Sequence, residues 1–329
     1  MEEPRPATIR STGPAAASAE FHALAVGAHP LEIRKGMRVE EAYRVTLLEC
    51  LAHVQANIAA VVRGREVEGL HQLRVGLRRL GVAFSAFGEE VRTARQRELQ
   101  ERTKAFASAI APARDLDVFA EDLFPPPVAA VGDDAAFAIL RERLDHARRE
   151  AWDRAIERVA SAEFSVLLDD ISGAAQSRSL ALVRSDDGLH APVKWAAPRR
   201  LDDFLIKARK RGRHLKSAEQ RDCHRLRIAL KKLRYACEFY APLYKTKKVK
   251  KYLGGLKKLQ ELLGAFNDSG QVRATLSLLT NIEAAPSRGT DLFFAAGVIH
   301  GWHTARALSL GKSAAKHWDD FKRADPFWR

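Results

Sequence analysis

Apolar residues recur every three or four positions along most of this chain, which is the spacing of one buried stripe on a helix. The pattern starts at Val39 and continues through Leu47, Leu51, Val54, Ile58 and Val61. Gly64 ends this run, and Pro125, Pro126 and Pro127 interrupt a later one. Further helices are predicted over residues 70–87, 95–111, 136–168, 201–216, 224–240, 249–263 and from 291 to the C-terminus. Strand-type alternation is nearly absent, so the sequence predicts an all-α fold.

The periodic pattern is interrupted at two places that suggest domain limits. Residues 1–36 are rich in Pro, Ala, Ser and Thr without apolar periodicity and are predicted to form a flexible N-terminal tail. A polar stretch at 184–200 is predicted to join two halves, a first helical bundle over about 37–187 and a second over about 195–329. Each half offers about four helices with short connections, which favours antiparallel four-helix bundles.

One helical segment occurs twice. Residues 71–87, HQLRVGLRRLGVAFSAF, align without a gap on residues 224–240, HRLRIALKKLRYACEFY. The same offset pairs Lys104 with Lys257 and Asp115 with Asp268. A register kept over about 45 residues indicates two copies of one unit, so we predict an internal duplication with pseudo-twofold symmetry.

Each copy of the repeat carries a row of cationic side chains beside its apolar stripe. In the first copy His71, Arg74 and Arg78 stand at i, i+3 and i+7, and in the second copy His224, Arg227 and Lys231 do. Like charges at this spacing repel one another by about a few tenths of a kcal/mol per pair. Helix stability alone would not select them, and an anionic ligand would offset the repulsion.

Composition extends this picture. The 329 residues carry a net charge of +14, and the segment 199–258 alone holds 21 Lys and Arg against 5 Asp and Glu. Such a concentrated positive charge is typical of proteins that bind a polyanion, although a row such as Lys245, Lys247 and Lys248 can also serve solubility alone. The three cysteines have no metal-site or disulfide-framework spacing, and no apolar run approaches a membrane span. We therefore expect a cytoplasmic protein without a metal or other cofactor.

The motifs HxLRVxLRRL and HxLRIxLKKLRYxxEF, the segments ARDLDV and LQELLGAFND that follow them, and the ending PFW resemble the CHAD domain. The resemblance covers residues 37–329. It implies two four-helix bundles whose basic motif helices line a positive groove or pore that binds inorganic polyphosphate. Many relatives also carry a CYTH triphosphatase domain, for which 36 residues are too few, so a stand-alone CHAD protein is expected.

The resemblance and the charge pattern together give the predicted polyphosphate-binding residues. They are His71, Arg74, Arg78, Arg79, Lys104, Arg114, Lys207, His224, Arg227, Lys231, Lys232, Arg234, Tyr235 and Lys257. Where the family usually repeats a basic residue, the first copy has Gly81 and only the second keeps Arg234. Unequal contributions of the two halves are therefore expected.

The residues leave alternatives open. The two motif histidines can be capping or packing residues, Arg79 and Lys232 can form salt bridges, and Asp115 and Asp268 are expected to cap a helix or pair with an arginine. If the histidines contact the ligand, binding should tighten as the pH falls through their titration.

We expect a non-enzymatic polyphosphate-binding module with a targeting or regulatory role, associated with polyphosphate granules. General RNA or DNA binding is the alternative, although aromatic residues interleaved with the cations are scarce. A phosphohydrolase is less favoured, because the sequence lacks a P-loop, clustered carboxylates for divalent metals and a nucleophile motif.

Overall fold

The computed structural model describes residues 24–88, 91, 93–132, 135–177, 188–213, 215, 220–280 and 289–329. This part of the chain is all-α, as predicted, and contains no strand. The helices before the polar joint are α1 (Val39–Ala56), α2 (Ile58–Val62), α3 (Val67–Ala86), α4 (Ala94–Ala109), α5 (Ala111–Val118), α6 (Pro125–Val131), α7 (Ala138–Ala160) and α8 (Ala162–Gln176). Those after it are α9 (Val193–Arg211), α10 (Gln220–Tyr240), α11 (Thr246–Leu262), α12 (Gly264–Thr280) and α13 (Gly289–Arg323). Short non-α turns occur at Phe119–Leu123, Ala135–Phe137 and Ala241–Leu243.

The repeated segment supplies the central helices α3 and α10. In α3 the predicted stripe of Leu70, Leu73, Leu77, Leu80 and Phe84 is buried, and in α10 Leu226, Leu230, Leu233, Cys237 and Tyr240 are buried. Helix α3 packs against α1 and α4, and α8 packs against the same two helices. Helix α10 packs against α9, α11 and α12, and α13 packs against α11 and α12. The arrangement as two four-helix bundles related by a pseudo-twofold axis stays a prediction.

Helices α3 and α10 also contact each other, so the two copies of the repeat meet in the middle of the fold. The hydroxyl of Tyr240 donates to the backbone oxygen of Ala86 at 2.9 Å. The ring of Phe87 lies 5.2 Å, centroid to centroid, from that of Tyr240. The amide of Gln271 on α12 donates to the backbone oxygen of Asp115 on α5 at 2.9 Å. The first two contacts join the C-terminal ends of the motif helices, and the third joins α12 to α5.

Some predicted boundaries were wrong. The three prolines that were expected only to interrupt helical structure instead begin α6, since a proline in the first turn of a helix loses no hydrogen bond. The predicted joint at 184–200 is shorter than expected because α9 already starts at Val193 and keeps Pro198 inside it. Residues 184–187 lie outside the described part of the chain.

Most of the predicted tail, residues 1–23, also lies outside the described residues. The remainder, 24–36, is not helical but is packed: Leu31 and Ile33 are buried. The backbone N–H of Val26 donates to Oδ1 of Asn57, and Nδ2 of Asn57 donates back to the oxygen of Val26, at 2.9 and 2.8 Å. Residues 24–36 therefore pack against the fold before α1 begins.

One helical stretch, Val39–Val62, is long and apolar enough to cross a membrane by length and composition, and half of the window that meets this criterion is buried inside the protein. Tyr43, Leu47, Cys50 and Val54 on this stretch are fully buried in the core. Packing against α3 and α8 therefore accounts for its apolar character.

Candidate functional site

Cationic side chains from α3 and α10 come together around Lys231. The ammonium of Lys231 is half-buried, and its pKa falls to about 7, first through burial and then through repulsion by neighbouring guanidinium groups. Those groups belong to Arg78, Arg227, Arg234 and Arg74. We call these five side chains the central cluster. Two of its members come from the first copy of the repeat and three from the second, so the cluster forms only where the copies meet.

Arg74 is the most firmly held member of the central cluster. Its Nη1 donates to the backbone oxygen of Ala111 and to Oδ1 of Asp115, both at 3.0 Å. Burial lowers the pKa of Arg74, and the Asp115 carboxylate opposes that shift. The expected pairing of Asp115 with a motif arginine is therefore present, and it fixes the guanidinium in place.

The charge of Arg227 is less completely compensated by acidic groups than that of Arg74. Burial lowers its pKa, Asp268 raises it and Arg78 lowers it further. Its Nε is buried and has no hydrogen-bond partner within the described part of the chain. Burial raises the pKa of Asp268 although Arg227 lies close enough to lower it. An unsatisfied donor and repelling cations leave this side of the cluster suited to an added anion.

The two motif histidines occupy different surroundings. His71 is half-buried, and its pKa is lowered by burial, with Arg114, Arg78 and Arg74 adding to the shift and Glu68 opposing it. His71 and Arg114 thus border the central cluster. Nη1 of Arg114 lies 3.9 Å from Oε2 of Glu121.

His224 is exposed, and its Nδ1 lies 2.9 Å from Oδ1 of Asn267, which holds the ring against α12.

A second group of cations lies around Lys232, which points about 100° away from Lys231 on α10. Burial lowers the pKa of Lys232, and Lys104, Lys207 and Arg211 lower it further, with Glu101 opposing. We call Lys104, Lys207, Arg211 and Lys232 the lateral cluster. Arg211 was not among the residues predicted from the sequence to bind the ligand, although the basic run Arg209–Arg211 at the end of α9 indicated it.

Three predicted site residues have other structural surroundings. Nη1 of Arg79 lies 3.6 Å from Oε2 of Glu238, and its guanidinium covers the ring of Phe239. Tyr235 is buried, and its ring lies beneath the guanidinium of Arg234 at 5.1 Å. Lys257 is exposed, and its Nζ lies 3.9 Å from Oε1 of Glu261. Arg79 thus joins α3 to α10, Tyr235 supports Arg234, and Lys257 is not among the charges that act most strongly on Lys231 or Lys232.

The described residues contain no group of three or more His, Cys, Asp or Glu side chains that could hold a metal ion. All three cysteines are free thiols and buried. The central cluster presents half-buried guanidinium and ammonium donors, of which Arg74 pairs with Asp115 and Arg234 with Glu238, and the cations of the lateral cluster are exposed.

Comparisons with known proteins agree with this architecture. A sequence model of the CHAD domain matches residues 46–277, which include both motif helices. The crystal structure of the CHAD domain from the plant Ricinus communis superposes with a TM-score of 0.79 at 24% identity, over 92% of this chain and 98% of that one. PptA from Streptomyces chartreusis superposes with a TM-score of 0.62 at 16% identity, over 86% of this chain and 100% of that one. No curated protein matches the sequence.

Proposed function

The chain belongs to the CHAD domain family, and from this premise we propose that it binds inorganic polyphosphate at the central cluster between α3 and α10. The observation that carries the proposal is the convergence of four guanidinium groups on the half-buried Lys231, whose pKa falls to about 7 through burial first and through their repulsion second. Burying a lysine among like charges lowers the stability of the folded protein. A bound polyanion reverses that loss.

The chemistry of the cluster suits a chain of phosphates. Polyphosphate carries about one charge per phosphate, and cations one helical turn apart, about 5.4 Å, can engage nearby phosphates of the same chain. Guanidinium groups can engage phosphate oxygens with two donors, whereas lysine acts as a point charge. The mixture of four arginines and one lysine gives strong contacts without demanding a single register of the ligand.

We propose binding without catalysis, as a targeting or regulatory module that brings the protein to polyphosphate granules in the cytoplasm. The family supports the ligand class, and the duplicated repeat supports a groove to which both copies contribute. The proposal includes the finer architecture, two four-helix bundles related by a pseudo-twofold axis. The lateral cluster is proposed to extend the groove for longer chains.

The first experiment compares polyanions. Fluorescently labelled long-chain polyphosphate is bound to the full chain at physiological salt and competed with short oligophosphates, single-stranded RNA and duplex DNA at equal phosphate concentration. We expect RNA and DNA to displace the labelled polyphosphate poorly, because Tyr235, an aromatic residue beside the cluster, is buried beneath Arg234 and is not available to stack on bases. Equal competition by RNA or DNA would instead indicate a general polyanion surface.

The second experiment locates the site. Replacing Arg227 and Lys231 together by alanine should weaken polyphosphate binding by about tenfold or more and reduce the slope of log K against log salt by about 1.4. A matched control replaces Lys247 and Lys250, which are exposed on α11, and removes the same charge. Equal losses in the two double variants would mean that net charge, not the central cluster, determines binding.

A further inference from the structure

The long C-terminal helix α13 exposes an apolar face along its N-terminal half. Phe294 is 50% exposed, Leu308 is 73% exposed, and Phe293 and Trp302 beside them are also exposed. The opposite face carries the buried residues Leu292, Ala295, Ile299, His303 and Ala307. One side of α13 is thus occupied by the core, and the other presents large apolar side chains that nothing in the described chain covers.

Small residues occupy the same exposed face. Phe294, Gly297, Gly301, Ala305 and Leu308 follow one another at three- and four-residue intervals and therefore line one side of the helix. A Cβ atom added at Gly297 or Gly301 would meet no atom within 4 Å. Packing within the chain does not require glycine at either position, and glycine in a helix interior lowers stability relative to alanine. Glycine at both positions would allow the backbone of another helix to approach closely.

The face is complementary to itself when a second copy runs antiparallel to it. With Gly301 placed on the twofold axis, Phe294 stands opposite Leu308 of the second copy, and Gly297 stands opposite Ala305. At the ends of the contact, Asp291 comes within one residue of the level of Lys312 of the second copy. Both of these charged residues are exposed and form no ion pair with the described residues. In this arrangement the large residues Phe294 and Leu308 meet at both ends of the row of small residues. The opposite charges of Asp291 and Lys312 meet beyond them.

We propose that α13 is a homodimerisation surface in which two copies of this chain pack antiparallel around Gly301. The contact is isologous and therefore closed, so it produces a dimer and not a filament. From residue 291 to residue 312 it would extend about 32 Å along the helix. The proposal does not depend on polyphosphate binding, because α13 lies apart from the motif helices in sequence and supplies none of the residues of the central and lateral clusters.

Sedimentation velocity over a wide range of protein concentration tests the proposal first. We expect a concentration-dependent monomer–dimer equilibrium whose dissociation constant rises about tenfold or more with Leu308→Glu. Circular dichroism shows whether the variant keeps its helices. A chain that stays monomeric at every concentration would overturn the proposal. So would a monomer whose binding to phosphatidylcholine and phosphatidylglycerol vesicles is abolished by Leu308→Glu, because that result would make the face a membrane contact.

Cysteine cross-linking tests the position of the axis. The three native thiols are buried, so a new surface cysteine can be followed by mild oxidation. Gly301→Cys should form a disulfide-linked dimer at least about tenfold faster than Glu157→Cys, an exposed position on α7. Equal rates would place the dimer contact elsewhere and refute the arrangement, even if the chain dimerises.

A charge exchange tests the antiparallel direction. Asp291→Lys and Lys312→Asp should each raise the dissociation constant about threefold or more, and the two changes combined should restore it. Because each change alone leaves like charges facing each other at both ends of the contact, recovery in the double variant requires Asp291 to face Lys312 of the other copy. Additive losses in the double variant would contradict the proposed pairing.

Discussion

Nη1 of Arg79 on α3 lies 3.6 Å from Oε2 of Glu238 on α10, and this ion pair joins the two copies of the repeat. Arg79 is 8% exposed and stacks over Phe239, next to its partner in sequence. Burial raises the pKa of Glu238, while Arg234 and Arg79 oppose that shift. A motif cation that was expected at the ligand therefore contributes to the packing of the two halves.

Replacing Arg79 by methionine should lower the free energy of unfolding by about 2 kcal/mol, because Glu238 would be left partly buried with one counter-charge fewer. Polyphosphate affinity should change by less than about twofold. Urea unfolding and a binding titration on the same preparation measure both quantities. Arg78→Met is the matched control and should show the reverse pattern: weaker binding, with no loss of stability, because Arg78 repels Lys231 and Arg227. Equal changes in stability and in affinity for the two variants would refute the assignment of Arg79 to packing and of Arg78 to ligand binding.

The different roles of Arg79 and Lys232 show which features of the site can be predicted from the sequence and which cannot. The two residues occupy equivalent positions in the repeat, and periodicity correctly placed Leu77 and Leu230 in the core beside them. Their partners differ because the second copy has Glu238 where the first has Ser85, and because α9 brings Lys207 and Arg211 to Lys232. Helical period predicts which face is buried. It does not predict which neighbouring helix lies beside each flank, and that neighbour decides whether a cation pairs or stays available.

Gly81 offers a test by gain of function. It lies on the same face of α3 as Arg74 and Arg78, and a Cβ atom added there would meet no atom within 4 Å. Gly81→Arg should increase polyphosphate affinity about threefold to tenfold, because it adds a cation beside the central cluster. It should also stabilise the fold by up to about 1 kcal/mol, because glycine disfavours helices.

Gly81→Ala separates the two effects of that change. It should give the gain in thermal stability without the gain in affinity or the steeper salt dependence. If the alanine variant binds polyphosphate as tightly as the arginine variant, the affinity gain comes from helix stability and not from the added charge.

The Asp115 carboxylate limits the positive charge that Arg74 offers to a ligand. Asp115→Asn keeps a side-chain acceptor for Nη1 of Arg74 but removes the negative charge. We expect polyphosphate to bind a few-fold more tightly, and the free energy of unfolding to fall by about 1 kcal/mol, since a largely buried guanidinium loses its counter-ion. Titration at two salt concentrations and urea unfolding test both parts. Weaker binding would show that the carboxylate matters more by positioning Arg74 than by its charge.

Sequence reasoning assigned the pH dependence of binding to the histidines, whereas the structure adds Lys231, with a pKa of about 7 in the free protein. Bound polyphosphate favours the charged ammonium, so the pKa of Lys231 must be higher in the complex. Affinity should therefore be greatest below pH 7 and fall as the pH rises from 7 toward the pKa of the complex, by at most about tenfold per pH unit. Burial lowers the pKa of His71 in the free protein, so this residue should add a further gain as the pH falls from its pKa in the complex toward that lowered value.

Binding of long-chain polyphosphate between pH 5.5 and about 9.5, at constant ionic strength, measures this dependence. Calorimetry in two buffers of different ionisation enthalpy should show proton uptake on binding at pH 8, because the free lysine is mostly neutral there and the bound lysine is charged. Lys231→Arg is the control: arginine keeps its charge over this range, so the fall in affinity above pH 7 and the proton uptake should both disappear. An unchanged pH profile in this variant would mean that Lys231 does not contact the ligand. In that case His71 and the arginines of the central cluster would have to account for binding by themselves.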